Sequence, residues 1–220
     1  MRRHALLGWV LTCALLAPAV ASAQATEERP RARHVQPPPP PQDRNPELLV
    51  GVSLSAVFPL EKTDICPGDS LCVLGAGAAA GVEIERRWPF GLGVLVAYDA
   101  WFVDSGGVFE LGVVQAVRAA IRYVFAYEHQ WHPSVHIGAG ALVFGDTGLV
   151  STLGGALEAG VGLEYELTES VSLDAGLSGW LFTTSPFVTG RDRTRRSEGL
   201  GLNFAMQLHV GLVIVASAGE

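Results

Sequence analysis

From residue 154 to 181 the chain reads GGALEAGVGLEYELTESVSLDAGLSGWL, with hydrophobic positions recurring at every second residue. Leu157, Ala159, Val161, Leu163 and Tyr165 share one face; Glu158, Gly160, Gly162, Glu164 and Glu166 share the other. After Thr168, Glu169 and Ser170 the alternation resumes, with Val171, Leu173, Ala175 and Leu177 against Ser172, Asp174, Gly176 and Ser178. A period of two belongs to a strand, so this stretch predicts a hairpin around a polar turn. Each arm runs about 10 residues or more, long for a globular strand and about what a tilted strand needs to cross a bilayer.

The same pattern divides the chain from Glu47 onward into eight segments: 48–58, 73–87, 90–103, 108–127, 134–144, the two arms of the hairpin, and 199–215. In 73–87, Leu74, Ala76, Ala78, Ala80, Val82 and Ile84 oppose Gly75, Gly77, Gly81, Glu83 and Glu85. In 90–103, Leu92, Val94, Val96, Tyr98 and Phe102 oppose Gly91, Gly93, Asp99 and Trp101. In 108–127, Phe109, Leu111, Val113, Val117, Ile121, Tyr123 and Phe125 oppose Glu110, Gly112, Arg118 and Arg122, with Gln115 interrupting the apolar side. In 199–215, Leu200, Leu202, Phe204, Met206, Leu208, Val210 and Leu212 oppose Asn203, Gln207, His209 and Gly211. One face is therefore almost uncharged, and the other combines glycine with ionisable residues.

A soluble barrel places its apolar face inside and its charges outside. Here the charged face is also the small-residue face, which suits a narrow polar interior, and a charge turned toward the bilayer midplane costs ~2–4 kcal/mol. The predicted fold is all-β: an eight-stranded, antiparallel, up-and-down transmembrane β-barrel. Connections after the second, fourth and sixth segments are short; those after the first and seventh, 59–72 and 185–198, are long and polar. Short periplasmic turns and longer extracellular loops are the layout of an outer-membrane barrel. Aromatics at both ends of the segments, Trp88, Phe90, Tyr123, Tyr127, Trp131 and Tyr165 near the turns and Phe58, Phe102, Phe109 and Phe204 near the loops, fit two interfacial girdles.

Composition narrows this further. Of 220 residues 49% are hydrophobic and 26 are glycine, yet beyond the first 25 no apolar run approaches the ~18 residues of a membrane helix. The net charge is −7, with no basic patch other than 191–196, which argues against nucleic acid as a partner. Residues 1–23 have the form of a signal peptide: Arg2 and Arg3, an apolar stretch from Ala5 to Leu16, and Ala21-Ser22-Ala23 as the cleavage site. A lipoprotein reading at Cys13 is weaker, because Thr12 suits it poorly and the better site follows. Residues 24–46 carry five consecutive prolines, Pro37 to Pro41, and read as a disordered periplasmic spacer ahead of the barrel at 47–216. Export implies an oxidising compartment, where Cys66 and Cys72 in CPGDSLC are expected to staple a loop. Two thiolates without a nearby histidine make a poor metal site, and no metal or cofactor is implied.

The eight segments, the signal peptide and phrases such as GLEYELTESVSLDAG and HPSVHIGAGALVFG resemble the small outer-membrane β-barrel family of the OmpA/OmpX type, over about residues 47–216. The resemblance implies a monomer in a Gram-negative outer membrane, in contact with lipid and lipopolysaccharide and inserted by the barrel-assembly machinery. Two departures stand out. That family's last strand usually ends in an aromatic, whereas this chain ends VIVASAGE, and no cell-wall-binding domain follows the barrel.

The candidate lumen charge network is Glu83, Asp99, Glu110, Arg118, Arg122, Glu158, Glu164 and Asp174, with Glu85, Glu166, His136 and His209 on the same face. Its members must neutralise one another in a narrow space, as a plug or as a gated polar path. Arg191, Arg193, Arg195 and Arg196 in the last loop are candidates for lipopolysaccharide phosphates, which suit arginine forks. Catalysis is not expected: Asp104-Ser105 and Asp146-Thr147 lie at loop rims without a histidine, and His129 and His132 fall at the opposite end. The expected role is structural or surface-interacting, the alternatives being a small ion or solute channel and a soluble periplasmic ligand-binding barrel.

Overall fold

The alternating segments pair into an antiparallel sheet that closes on itself. The computed structural model of the chain describes residues 46–62, 65–68, 71–125, 129–146, 149–198 and 201–218. The expected signal at 1–23, the proline-rich segment up to residue 45, and Tyr127, Thr147 and Leu200 lie outside the described residues. The barrel strands are β1 (Glu47–Lys62), β2 (Gly77–Arg87), β3 (Leu92–Val103), β4 (Gly112–Val124), β5 (Trp131–Asp146), β6 (Leu149–Thr168) and β7 (Val171–Thr184). Two short strands, β8 (Phe187–Val188) and β9 (Arg195–Arg196), form a separate hairpin in the following loop, and β10 (Asn203–Ala218) completes the barrel by pairing with both β7 and β1. The barrel strands run from 11 to 20 residues, at or beyond the ~9–11 of a tilted membrane strand.

Three short turns and both ends of the barrel chain lie at one rim. The turn after β2 depends on Gly91, at φ 88°, whose N–H donates to the Trp88 carbonyl at 2.9 Å and whose carbonyl accepts from Val124 N–H at 2.8 Å. The opposite rim carries the loops. β5 and β6 extend past the expected segments, so that their pairing reaches Asp146 and Leu149.

The outward wall is apolar. Leu54, Val82, Val96, Val117, Ile137 and Leu208 are all at least half exposed on it, and a continuous apolar belt is stable only against lipid. Gln115 keeps its outward place by accepting a hydrogen bond from the Tyr98 hydroxyl at 3.2 Å. Trp131 and Tyr165 (centroids 4.4 Å apart), Tyr123 and Phe125 (4.8 Å), and Trp88 and Phe90 (6.4 Å) form the girdle at the short-turn rim.

The lumen is not polar throughout. Its loop-end half is a hydrophobic plug of Val57, Trp101, Leu142, Phe144, Trp180 and Phe182. It is roofed by Ile65, Val73 and Leu74 of the first loop, Val108 and Phe109 of the second, and Phe187 of β8. Trp101 meets Trp180 edge-on at 5.1 Å, and Phe109 meets Phe144 at 5.5 Å. The large side chains face alanines across the ladder: Trp101 opposite Ala79, Trp180 opposite Ala205, Phe182 opposite Ala156, and Leu142 opposite Ala116. Because the loops fold inward and exclude water, these positions pack as an ordinary small core.

Two expectations about residues 108–111 are corrected. Phe109 is buried in the plug and is not part of an outward girdle, and Glu110 is exposed in the loop, outside the lumen network. Gly106 and Gly107, at φ 60° and 76°, break the alternation. The N–H groups of Glu110 and Leu111 then donate to the Asp146 carboxylate at 3.2 and 3.0 Å, so the strand ladder starts only at Gly112.

Candidate functional site

Below the plug, toward the short-turn rim, the lumen is ionic, and most of its charged residues face a glycine across the ladder. In the strand register Glu83 lies opposite Gly51, Asp99 opposite Gly81, Arg118 opposite Gly140 and Arg122 opposite Gly93. Likewise His136 lies opposite Gly160, Glu158 opposite Gly138, His209 opposite Gly176 and Asp174 opposite Gly211. The imidazole of His136 lies so close over Gly160 that a Cβ there would stand 2.5 Å from its Cε1, and His209 occupies Gly176 in the same way. Facing small and large residues is how an eight-stranded barrel fills its bore.

Three arginines hold the network together. Arg122 donates to Glu83 at 3.0 and 3.1 Å and to Glu85 at 2.9 Å. Arg118 pairs with Asp99 at 3.1 Å and with Glu158 at 3.0 Å, and its guanidinium stands 5.8 Å from the centre of the Trp180 ring, joining the ionic layer to the plug. The third is Arg87, outside the expected set: it grips Glu164 with two hydrogen bonds of 2.6 and 2.8 Å and Glu85 with two of 2.7 and 3.0 Å. Its parity with Glu83 and Glu85 was a usable signal, obscured by the neighbouring Arg86 and the strand break at Trp88-Pro89. His136 contacts Glu158 and Ser178, both at 3.2 Å, and His209 contacts Asp174 at 2.8 Å. Between the layers, Trp180 Nε1 donates to Gln207 at 2.8 Å, and Gln207 donates to Ser55 at 3.0 Å.

Little space remains within this packing. The cavity among Arg118, Arg122, Asp174, His136 and His209 is about 20 Å³, room for a single water. A wider vestibule of about 300 Å³ opens at the short-turn rim, lined in part by Glu47, Arg87, His132, Glu164 and Glu166.

At the loop rim, Cys66 and Cys72 are joined in a disulfide, with the sulfurs 2.04 Å apart. The last loop is held by Arg196, which is 0% exposed and therefore not an open phosphate contact, correcting that expectation. Its guanidinium donates to the Ile65 carbonyl at 2.8 Å, to Asp192 at 2.6 Å and to Thr189 at 3.1 Å, latching the last loop to the first. Burial pushes the Asp192 carboxyl up, but hydrogen bonds from Thr189 and Thr194, with Arg196 beside it, outweigh this and hold its pKa at about 2. Arg191, Arg193 and Arg195 are exposed. Arg191 donates to the Gly107 carbonyl of the second loop, and Arg195 pairs with Glu198 at 3.1 Å.

No protein-family description matches the chain, and no curated protein matches it in sequence. Solved structures do match. Neisserial surface protein A superposes with a TM-score of 0.55 at 15% identity, over 76% of this chain and 96% of that one. The chain has the fold of a small outer-membrane barrel. Looser matches are the N-terminal β-barrel domain of Pseudomonas aeruginosa OprF (TM-score 0.44, 14% identity, 77% of this chain and 100% of that one) and OprG of the same organism (0.45, 11%, 79% and 98%). In a small outer-membrane barrel the short turns face the periplasm. The ionic layer lies toward the short-turn rim, and the plug, the disulfide and the loop arginines lie toward the loop rim.

Proposed function

We propose that the chain is a non-enzymatic protein of the Gram-negative outer membrane with a structural and surface-interaction role. The barrel serves as the anchor and the loop face as the contact surface. In this reading it is a monomer inserted by the barrel-assembly machinery, and Arg191, Arg193 and Arg195 meet lipopolysaccharide phosphates. The observation that supports it best is the filled loop-end half of the lumen, with Arg196 latching the loops above it. The soluble barrel is set aside because the exposed apolar belt would face water.

Two experiments test this reading. Purified protein in planar bilayers is expected to give no discrete conductance steps; steady steps that shift with Arg118→Ala would instead favour the small channel. Reversing Arg191, Arg193 and Arg195 together to glutamate is expected to weaken lipopolysaccharide binding roughly tenfold or more, as loss of charge-assisted hydrogen bonds requires. Unchanged binding would remove these arginines from the contact surface.

A further inference from the structure

A recess of about 690 Å³ opens on the outer wall of the barrel at its loop end, where β7 leaves β6. Leu153, Gly154, Gly155 and Pro186 line it together with the polar Thr183, Thr184, Ser185 and Glu198. Gly155 is the informative residue. It points outward from β6 between Leu153 and Leu157, both more than half exposed, and lies opposite Thr183 and Ala141. Packing does not require a glycine there. The nearest atom to a Cβ at that position is the Gly140 carbonyl oxygen, 4.0 Å away, and the backbone is ordinary strand. Gly154 is the opposite case, since its Cβ would lie 2.0 Å from the Thr183 carbonyl oxygen. A lipid-facing position with room for a side chain therefore has none, and that vacancy deepens the recess.

A cation adjoins the lining through Glu198. Glu198 pairs with Arg195, and both are mostly exposed, at 62% and 68%. An exposed pair of this kind is weak and gives way to a better anion, and a phosphate matches the guanidinium fork. A recess with Leu153, Gly155 and Pro186 in its lining and an exchangeable arginine paired to its Glu198 is complementary to an acyl chain carrying an anionic headgroup.

We propose that this recess seats one acyl chain of a phosphorylated outer-leaflet glycolipid, lipid A, whose phosphate takes the place of Glu198 on Arg195. The proposal rests on the lipopolysaccharide reading above and adds to it the position of the chain. Gly155→Trp fills the recess from a position with space for a Cβ, and Gly155→Leu is the milder filling should the tryptophan fail to fold.

The test is native mass spectrometry of the full-length protein in mild detergent, titrated with bis-phosphorylated, hexa-acylated lipid A. Folding is checked by gel mobility before and after boiling. Wild type is expected to hold one lipid A, and the folded filled variant to bind at least tenfold more weakly. Deacylated headgroup is expected to bind weakly and equally to both. Equal binding of intact lipid A by wild type and filled variant overturns the seat, whether or not charge reversal at Arg191, Arg193 and Arg195 weakens binding. If charge reversal has no effect while filling does, the phosphate reading on which the seat rests fails.

Discussion

Gly51 lies across the β1–β2 ladder from Glu83, and a Cβ on it would stand 2.6 Å from Glu83 Cγ and 3.1 Å from its Oε1. The glycine is thus the space in which the carboxylate turns to reach Arg122. Gly51→Ala is expected to cost about 1–3 kcal/mol, as overpacking does, and much less in a Glu83→Ala background, because the three nearest atoms all belong to that one side chain. Equilibrium unfolding of the four proteins of the cycle measures the coupling; additive effects would contradict the pairing. Arg122→Ala takes two hydrogen bonds from Glu83 and leaves Glu85 held by Arg87, and is expected to cost about 3 kcal/mol in the same assay. Much of this scale was legible in the chain. Strict alternation puts Glu83, Asp99, Arg118, Arg122, Glu158, Glu164 and Asp174 on the glycine-bearing face, and the structure brings all of them inside. Which residues become partners depends on register, which a period of two leaves open.

The loops are held as elements by contacts that no periodicity announces. Arg196 sits in an irregular stretch with three other arginines, and only the fold distinguishes the buried one, by bringing Ile65 to it from far along the chain. Glu110 and Phe109 depart from the alternation for a related reason: two left-handed glycines precede them, and the alternating pattern no longer maps to inside and outside. Arg196→Ala is expected to release the last loop, seen as faster proteolysis within 185–202 with the barrel still intact. The latch also has a pH signature. Asp192 is depressed to about 2 in the fold against ~3.9 in an unfolded chain, so its contribution is present above pH ~4 and is lost as pH falls toward 2. Loop proteolysis is therefore expected to be flat from pH 5 to 8 and to rise only in acid. Replacing Cys66 and Cys72 by serine is expected to lower stability by about 2 kcal/mol, the entropy of a short closed loop.

At the scale of the barrel, the interior has a sealed apolar half and a cross-linked ionic half in which carboxylates outnumber guanidiniums, while the wall is apolar all round. That inversion of a soluble protein was legible from which face carries the charges. The plug was only partly so: Trp101, Trp180 and Phe182 have inward parity, but the loop residues that cover them do not declare it. Trp101→Ala combined with Trp180→Ala is expected to empty only the loop-end half and to leave planar bilayers without conductance steps, because the ionic layer below has room for a single water; steady steps would show that the plug alone closes the barrel. The most direct test of the membrane-barrel assignment is fractionation of cell envelopes followed by gel mobility with and without boiling in detergent. The account predicts an outer-membrane protein whose unboiled form migrates faster. A soluble protein with no mobility shift would contradict it.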